Sequence, residues 1–519
     1  MILSCLILIL AAGVALLVLA VPLLQANLPL PVALVLLYLG IGLSRKLPRQ
    51  APGLSFLWLV LAALVLVPFA ITARGFGTVD MMAFLFHTQF GLGGGSILTL
   101  RQEIAIVLLA TLIFLLATWS LMALLRPYVW LRRPVLPVAL ALILAINPLS
   151  AHALRSAADP APDLRLAEAM EDPRPTREPD PLPDIVYIYL EGLDQRFADR
   201  AKFGDAYDPI RHLAAQGLSL TNVAQISGTS WSLAGMVASQ CGVPLLPRRL
   251  MDVDNLREVS DFLPRLTCLT DLLAERGYAQ EFLVGGEEDF GGIDSFYRSH
   301  GVTEIWGKRR HIRNHPEVDV AAAYMGWVVD DQMVYDTARA RFDAMAAAPA
   351  PFALIVETYG PHGGTSSLSR RCTPEGRATY TEDYGRSARC LGDLTVEFVD
   401  DIRARHAASG RPNPLRIILQ SDHLFHARTE LDTDPALERN TVILLGGPEI
   451  GVANDTAASM VDVYPTLLHW MGFGTTAAGL GRSVLPGTDE ATLVAIHGAE
   501  TVSHALEGAG DLSDRLWHE

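Results

Sequence analysis

The sequence predicts two unlike parts: a helical membrane region over residues 1–150, and an α/β domain over 184–519 built on a mostly parallel sheet covered by helices. A linker over 151–183 joins them. Three observations carry this reading. Charge is segregated: residues 1–150 hold eight Lys/Arg against two Asp/Glu, a formal +6, and the rest holds 33 against 54, a formal −21. Long apolar runs are confined to the first part, and a bilayer crossing needs roughly 20 such residues. From Asp184 onward, short β-rich runs alternate with helical patterns, as in parallel strands joined by crossover helices. The acidity of the larger part argues against a nucleic-acid binder.

The first run, Ile2 to Leu24, has no charge, no basic start, and more length than a cleaved signal core. Further runs fall at about 29–44, 54–73, 104–125 and 134–150, the second and fifth of them short. The expected count is five spans, with four as the main alternative. Arg45, Lys46 and Arg49 lie between the second and third runs, and Arg126, Arg132 and Arg133 between the fourth and fifth. Basic loops stay in the cytoplasm. The chain therefore starts inside, and everything after residue 150 lies outside. The loop Arg74–Gln102 falls outside too. Its segment Met81–His87 reads either as an amphipathic stretch on the outer leaflet or as a packed loop. The spans carry almost no charge, which counts against a transporter.

Seven prolines and seven acidic residues between Ala151 and Pro183 read as an extended tether, with a helix expected only around Asp163 to Met170. Strands are expected at Ile185–Leu190, Gln280–Val284, Phe352–Val356, Leu415–Leu419 and Thr441–Leu445, and helices at Phe262–Arg276 and Tyr384–Arg405. Ligands in such sheets bind beyond the carboxyl ends of the strands. Cys5 sits in the first span as a small apolar residue. Cys241, Cys268, Cys372 and Cys390 all fall in the external domain, which suggests an oxidising compartment and two disulfides. Three pairings are possible, and proximity favours Cys241–Cys268 with Cys372–Cys390. No Cys-x-x-Cys spacing points to a structural zinc.

The stretch Ser227–Cys241 opens with small hydroxyl residues and runs into a helical pattern, which puts Thr229 at a helix start. Backbone N–H groups and the helix dipole favour an anion there. Taken alone, such a hydroxyl does no more than cap. Glu191, however, directly follows the first strand, and Asp422 and His423 follow the fourth. An Asp-His pair past a buried strand is costly without partners. With Thr229, these residues form a mixed oxygen and nitrogen set suited to one divalent metal: manganese, magnesium or zinc. Such an ion would activate the hydroxyl and neutralise charge on a phosphoryl group under in-line attack.

The order of Asp184–Glu191, then Gly228–Pro244, then Ser421-Asp422-His423 resembles the alkaline-phosphatase and sulfatase superfamily. Within it the chain most resembles the phosphoglycerol transferase I family, which decorates osmoregulated periplasmic glucans. Lipoteichoic acid synthases look like more distant relatives of the same layout. The likeness covers nearly the whole chain, including the Gly-rich outer loop and the four domain cysteines. It implies that Glu191, Asp422 and His423 bind the metal, with manganese the leading choice, and that Thr229 is both ligand and nucleophile. It further implies transfer of a glycerophosphoryl group from phosphatidylglycerol, a membrane lipid, to a glucan acceptor. The intermediate would be a covalent phosphothreonine, and diacylglycerol would leave.

Several residues depart from that pattern. Relatives carry a histidine where Tyr359 stands, and His362 follows three residues later, so either is a candidate substrate contact. The histidine that lipoteichoic acid synthases carry near Gly285-Gly286 is missing. Trp231 reads as a sugar or lipid contact or as a core residue. His426 reads as a neighbour of the site or a surface group, and His300 as structural. Val461–Leu468 resembles a superfamily helix start with a packing role. No Pro and Arg follow Thr229 in the sulfatase pattern, which argues against sulfate ester hydrolysis. Two alternatives stand beside this reading. One is a phosphoethanolamine transferase or lipid-headgroup phosphodiesterase of the same fold, and the other is a catalytically silent sensor of lipid or glucan.

Overall fold

The computed structural model describes residues 2–25, 52–76, 80–90, 101–247, 261–363, 366–426, 431–488 and 490–517. The chain forms two compact units. One comprises Met1–Met81, Ile97–Pro160 and His426–Leu431; the other comprises Met82–Ser96, Ala161–Phe425 and Asp432–Glu519.

In the first unit, Leu3–Val21, Phe56–Arg74 and Arg101–Leu124 are long and apolar enough to cross a membrane. Buried hydroxyls in the third are satisfied within the helix: Thr111 donates to Val107 O and Thr118 to Phe114 O, each at 2.8 Å. The run expected at 134–150 is not one straight helix. Val129–Ala145 and Pro148–Ala158 meet at 73°. Asn147 is the cause: its side chain accepts from Leu149 N and caps a new helix opened by Pro148. Counting the bent pair as one span, the described residues hold four crossings rather than five. The run at 29–44 lies outside the described residues.

In the second unit the strands are β1 (Asp184–Leu190), β2 (Leu218–Ala224), β3 (Ala279–Val284), β4 (Glu304–Trp306), β5 (Phe352–Glu357), β6 (Ser367–Leu368) and β7 (Thr379–Tyr380). They continue with β8 (Leu415–Ser421), β9 (Asn440–Leu445), β10 (Val452–Asn454), β11 (Ala458–Ser459), β12 (Ala477–Ala478) and β13 (Gly481–Arg482). Among the described residues, nine form one sheet in the order β10-β2-β9-β8-β1-β5-β3-β4, with β11 beside β2. Only β9 runs against its neighbours. β1 is buried along its whole length, as its unbroken apolar run requires of a central parallel strand. Register pairs Tyr189 with Glu357 on β5 and Leu190 with Ser421 on β8. Glu191, Glu357 and Asp422 therefore emerge together at one sheet edge.

Three expectations need correction. The helix expected over Phe262–Arg276 spans only Leu269–Glu275. Pro264 lacks an N–H, Leu263 has φ +51°, and Cys268 caps the shortened helix, its own N–H donating to Asp271 Oδ2 at 2.8 Å. The linker is not a free tether beyond Glu171. Glu171 bridges to Gly479, Thr176 N donates to Phe473 O at 2.9 Å, and Glu178 pairs with Arg276. The outer-loop segment forms a helix, Met81–Phe90, whose Met82 and Phe86 are buried in the core of the second unit.

Disulfides join Cys241 to Cys268 and Cys372 to Cys390. The first ties the end of helix Ser232–Cys241 to the start of helix Leu269–Glu275. Helix Ser232–Cys241 presses onto the sheet edge at Gly235, where an added Cβ would lie 1.7 Å from the Asp422 carbonyl oxygen. Gly235→Ala is expected to cost roughly 1–3 kcal/mol of stability by overpacking. The measurement is the thermal midpoint, and an unchanged midpoint would contradict this close approach.

Candidate metal-binding active site

Turn chemistry at the sheet edge builds the site. Gly192 adopts φ +57°, which turns the chain sharply after Glu191. Its N–H donates to Asp422 Oδ1 at 2.9 Å. The Glu191 N–H donates to Thr358 Oγ1 at 3.2 Å, and the Thr358 hydroxyl donates to Tyr189 O at 3.1 Å. The ends of β1, β5 and β8 are thereby stitched together.

Glu191, Asp422 and His423 are 3%, 0% and 4% exposed. Their ligand atoms lie within 4.8 Å of one another. His423 Nε2 stands 3.2 Å from both Glu191 Oε1 and Asp422 Oδ2. His423 Nδ1 is 2.8 Å from Leu424 O, and a carbonyl only accepts. The proton of the neutral ring therefore sits on Nδ1, and Nε2 faces the carboxylates with a lone pair, as in a histidine prepared to bind metal. Glu191 Oε1, Asp422 Oδ2 and Glu357 Oε2 are buried, and apart from the His423 ring facing the first two they have no hydrogen-bond partner. Buried carboxylate oxygens without partners are costly, and a divalent cation among them would remove that cost. The residues fit such an ion.

Electrostatics agree. Burial opposes charge on His423, but the neighbouring Asp422 and Glu191 carboxylates prevail and push its pKa up to about 10. Burial, reinforced by the Glu191 charge, raises Asp422 above the usual carboxylate range. Burial would raise Glu191 as well, yet the His362 and His423 imidazoles reverse it and hold the group low. Glu357 is pushed well up by burial and then by Glu191 and Asp422. The cluster is short of positive charge.

The hydroxyl that reaches this cluster is Ser232, not Thr229. The helix begins at Ser232, with Trp231 as its cap, three residues later than the sequence suggests. Gly228 at φ +78° and extended Trp231 delay the start. Thr229 closes the preceding turn: its hydroxyl donates to Ile226 O at 2.8 Å and accepts from Ile226 N at 3.2 Å. Ser232 Oγ donates to Glu191 Oε2 at 3.2 Å and also comes within hydrogen-bonding reach of Glu357 and Asp422.

A small, partly open cavity lies beside the cluster. Glu191, Ser232, Glu357 and His362 line its polar side, and Phe290 and Trp327 its apolar side. Tyr359 also lines it, stacked on His362 with ring centres 4.9 Å apart. Buried Asp331 holds their loop, accepting from Tyr359 N at 2.6 Å and Gly360 N at 2.9 Å. Burial pushes the Asp331 pKa up to about 7 against these two donors.

The other candidates sit elsewhere. Trp231 is buried in the core. His426 belongs to the other unit. His300 pairs with Asp271 at 2.7 Å. Those two and Cys268 form a second close group, but Cys268 is disulfide-bonded and offers no thiolate. The motif at Val461–Leu468 is a buried helical segment whose Asp462 side chain accepts from Ser459 N.

Ser232, Glu357 and Asp331 are not among the residues the sequence singles out. Glu357 had the same signal as Glu191, the first charge after an unbroken apolar strand. Asp330-Asp331, a pair of acids at the start of helix Asp331–Ala346, follow no apolar strand that would mark them.

A buried carboxylate–histidine cluster beyond a mostly parallel sheet, with a helix-start hydroxyl beside it, defines the class. The chain belongs to the Sulfatase family, whose model matches residues 183–473. Phosphoglycerol transferase I of Xanthomonas campestris pv. campestris (strain B100) is 30% identical over 308 residues, 58% of this chain and 42% of that protein. Phosphoglycerol transferase I of Salmonella paratyphi B is 30% identical over 315 residues, 60% of this chain and 40% of that protein. The match thus spans well under half the length of these relatives. The structure of the lipoteichoic acid synthase LtaP from Listeria monocytogenes aligns with a TM-score of 0.47 at 12% identity, over 68% of this chain and 98% of that one.

Two expectations follow. In metal-free protein, His423 and Asp422 both have pKa values raised on folding. Each contributes stability at low pH that is lost as pH rises through its folded pKa. A cation displaces those protons, so its stabilising effect must grow with pH. The gain in thermal midpoint from manganese over chelator should increase between about pH 5 and pH 8; a flat or shrinking gain would contradict the assignment. Asp331→Asn replaces an oxygen that accepts a backbone N–H with either a donor or a weaker acceptor. It should lower stability by about 1–3 kcal/mol in denaturant unfolding.

Proposed function

We propose that this chain transfers a glycerophosphoryl group from phosphatidylglycerol to a periplasmic glucan and releases diacylglycerol. The observation that carries this reading is the half-buried Ser232 hydroxyl at a helix start, 3.2 Å from Glu191 beside the carboxylate–histidine cluster. The likeness to phosphoglycerol transferase I supports a phosphoglycerol group as the one transferred. The apolar helices, the basic loops and the two disulfides support a bacterial inner-membrane protein with its catalytic part in the periplasm. On this reading residues 1–150 are the membrane part, 151–183 the linker and 184–519 the catalytic domain.

Glu191, Asp422 and His423 would hold a divalent cation, which we take to be manganese. When bound, it supplies Lewis acidity to the phosphoryl oxygens and lowers the pKa of the nearby hydroxyl. Ser232 Oγ is placed by the helix start and by Glu191. Its attack on phosphorus forms an O–P bond, and the bond to the glyceride oxygen breaks. The serine proton ends on that oxygen, giving diacylglycerol. In the second step a glucan hydroxyl attacks the same phosphorus and the Ser232–phosphorus bond breaks. The hydroxyl proton returns to Ser232. Helix-start N–H groups and the dipole favour the phosphoryl charge throughout. His362 stands across the cavity with Nδ1 donating to Gly363 O at 2.9 Å, so Nε2 faces away from the backbone as a substrate contact.

Intact-mass spectrometry of the full chain, incubated with manganese and phosphatidylglycerol, tests this. The expected result is a gain of one glycerophosphoryl group on Ser232, absent in Ser232→Ala and retained in Thr229→Ala. An adduct on Thr229 would overturn the nucleophile. An adduct formed only with phosphatidylethanolamine would overturn the donor.

A further inference from the structure

Helix Met81–Phe90 lies in sequence between two apolar helices, Pro52–Phe76 and Arg101–Leu124, yet from Met82 onward it folds with the catalytic unit. Phe86 is fully buried there, its ring 5.5 Å from Trp231 and 6.5 Å from Phe262. The neighbouring His87 ring stands 6.0 Å from Trp231 and 6.2 Å from Phe290. A Cβ at Gly291 would lie 3.4 Å from His87 Cε1, so the imidazole rests directly on that turn.

The contacts continue. Phe290 is 6.4 Å from Trp327, and Trp327 stands edge-on to Tyr359 at 4.9 Å and to His362 at 5.7 Å. An aromatic arc therefore runs from Trp231, the residue before Ser232, through His87, Phe290 and Trp327 to His362. Of these rings Phe290, Trp327 and His362 line the cavity, together with Tyr359, while Trp231 and His87 stand behind Phe290 and the helix start. A water-soluble phosphoester would use the polar side and leave the arc bare. A phosphodiester carried on an apolar body would use both, and such a pocket of mostly apolar lining with few polar groups discriminates by shape.

We propose that helix Met81–Phe90, through His87 packed on Phe290 and Trp231, braces the Phe290 and Trp327 lining of the cavity as an aromatic seat for the apolar shoulder of an amphiphilic phosphodiester and so sets preference for lipid over soluble donors. The inference rests on the transfer reading above and adds to it a specificity-determining residue outside residues 183–473.

The test uses the full chain in detergent micelles, comparing kcat/KM for phosphatidylglycerol with kcat/KM for its deacylated, water-soluble counterpart glycerophosphoglycerol, a diester with no apolar body. In His87→Ala the lipid-to-soluble ratio should fall about tenfold, chiefly through a higher KM for the lipid, the size expected when a pocket loses an apolar contact. His87→Phe should restore the ratio, because the flat aromatic body is what the seat needs. Equal losses on both donors, or an unchanged ratio, would overturn the seat. A wild-type chain that turns over the soluble diester but no phosphatidylglycerol would instead overturn the donor reading.

Discussion

The structure depends on uncompensated negative charge. Parallel pairing of β1 with β5 and β8 delivers Glu191, Glu357 and Asp422 to one buried point. Carboxylates this close and this dry repel one another, and a single imidazolium at His423 cannot balance them. The orphaned oxygens mark where the balance is missing. A divalent cation would resolve the arrangement, and on the proposed reading the same cation would make the Ser232 hydroxyl a competent nucleophile.

The surroundings hold that costly cluster in place. The Asp422 backbone is clamped under Gly235 of the nucleophile helix, and its side chain is held by the Gly192 N–H. The loop after His423 is fixed where Phe425 N donates to Asp194 and Leu424 N to Gln225. Asp331 does the same for the loop bearing Tyr359 and His362. Apart from the Gly235 contact, each support is a backbone N–H meeting a side-chain oxygen, so the geometry resists small shifts of the acids themselves.

Much of this was legible in the sequence, for identifiable reasons. β1, β3, β5 and β8 read clearly because buried parallel strands are continuous apolar runs, and β9, though antiparallel, is buried along its length and reads the same way. Glu191, Asp422 and His423 read clearly because polar residues directly after such runs face the ligand edge. β2 was illegible: only one face of Leu218–Leu220 is apolar, and polar residues follow. Ser232 was hidden by three competing hydroxyls, since the sequence does not reveal that Gly228 takes a left-handed turn and delays the helix. The bend at Asn147 shows the same limit in the membrane part, where an apolar run alone does not distinguish a straight span from a broken one. The placement of Met82 and Phe86 in the catalytic core is a long-range contact, and local pattern carries no signal for it.

The most direct test of the account is metal content. The full chain and its Asp422→Asn variant would be dialysed to equilibrium against manganese, desalted and measured by elemental analysis. The account predicts one ion per chain in the wild type and loss of that ion in Asp422→Asn, with Thr229→Ala unaffected because its hydroxyl is committed to Ile226. A wild-type chain that takes up no ion, or an Asp422→Asn variant that keeps the full complement, would contradict the claim that this carboxylate cluster is built around a cation.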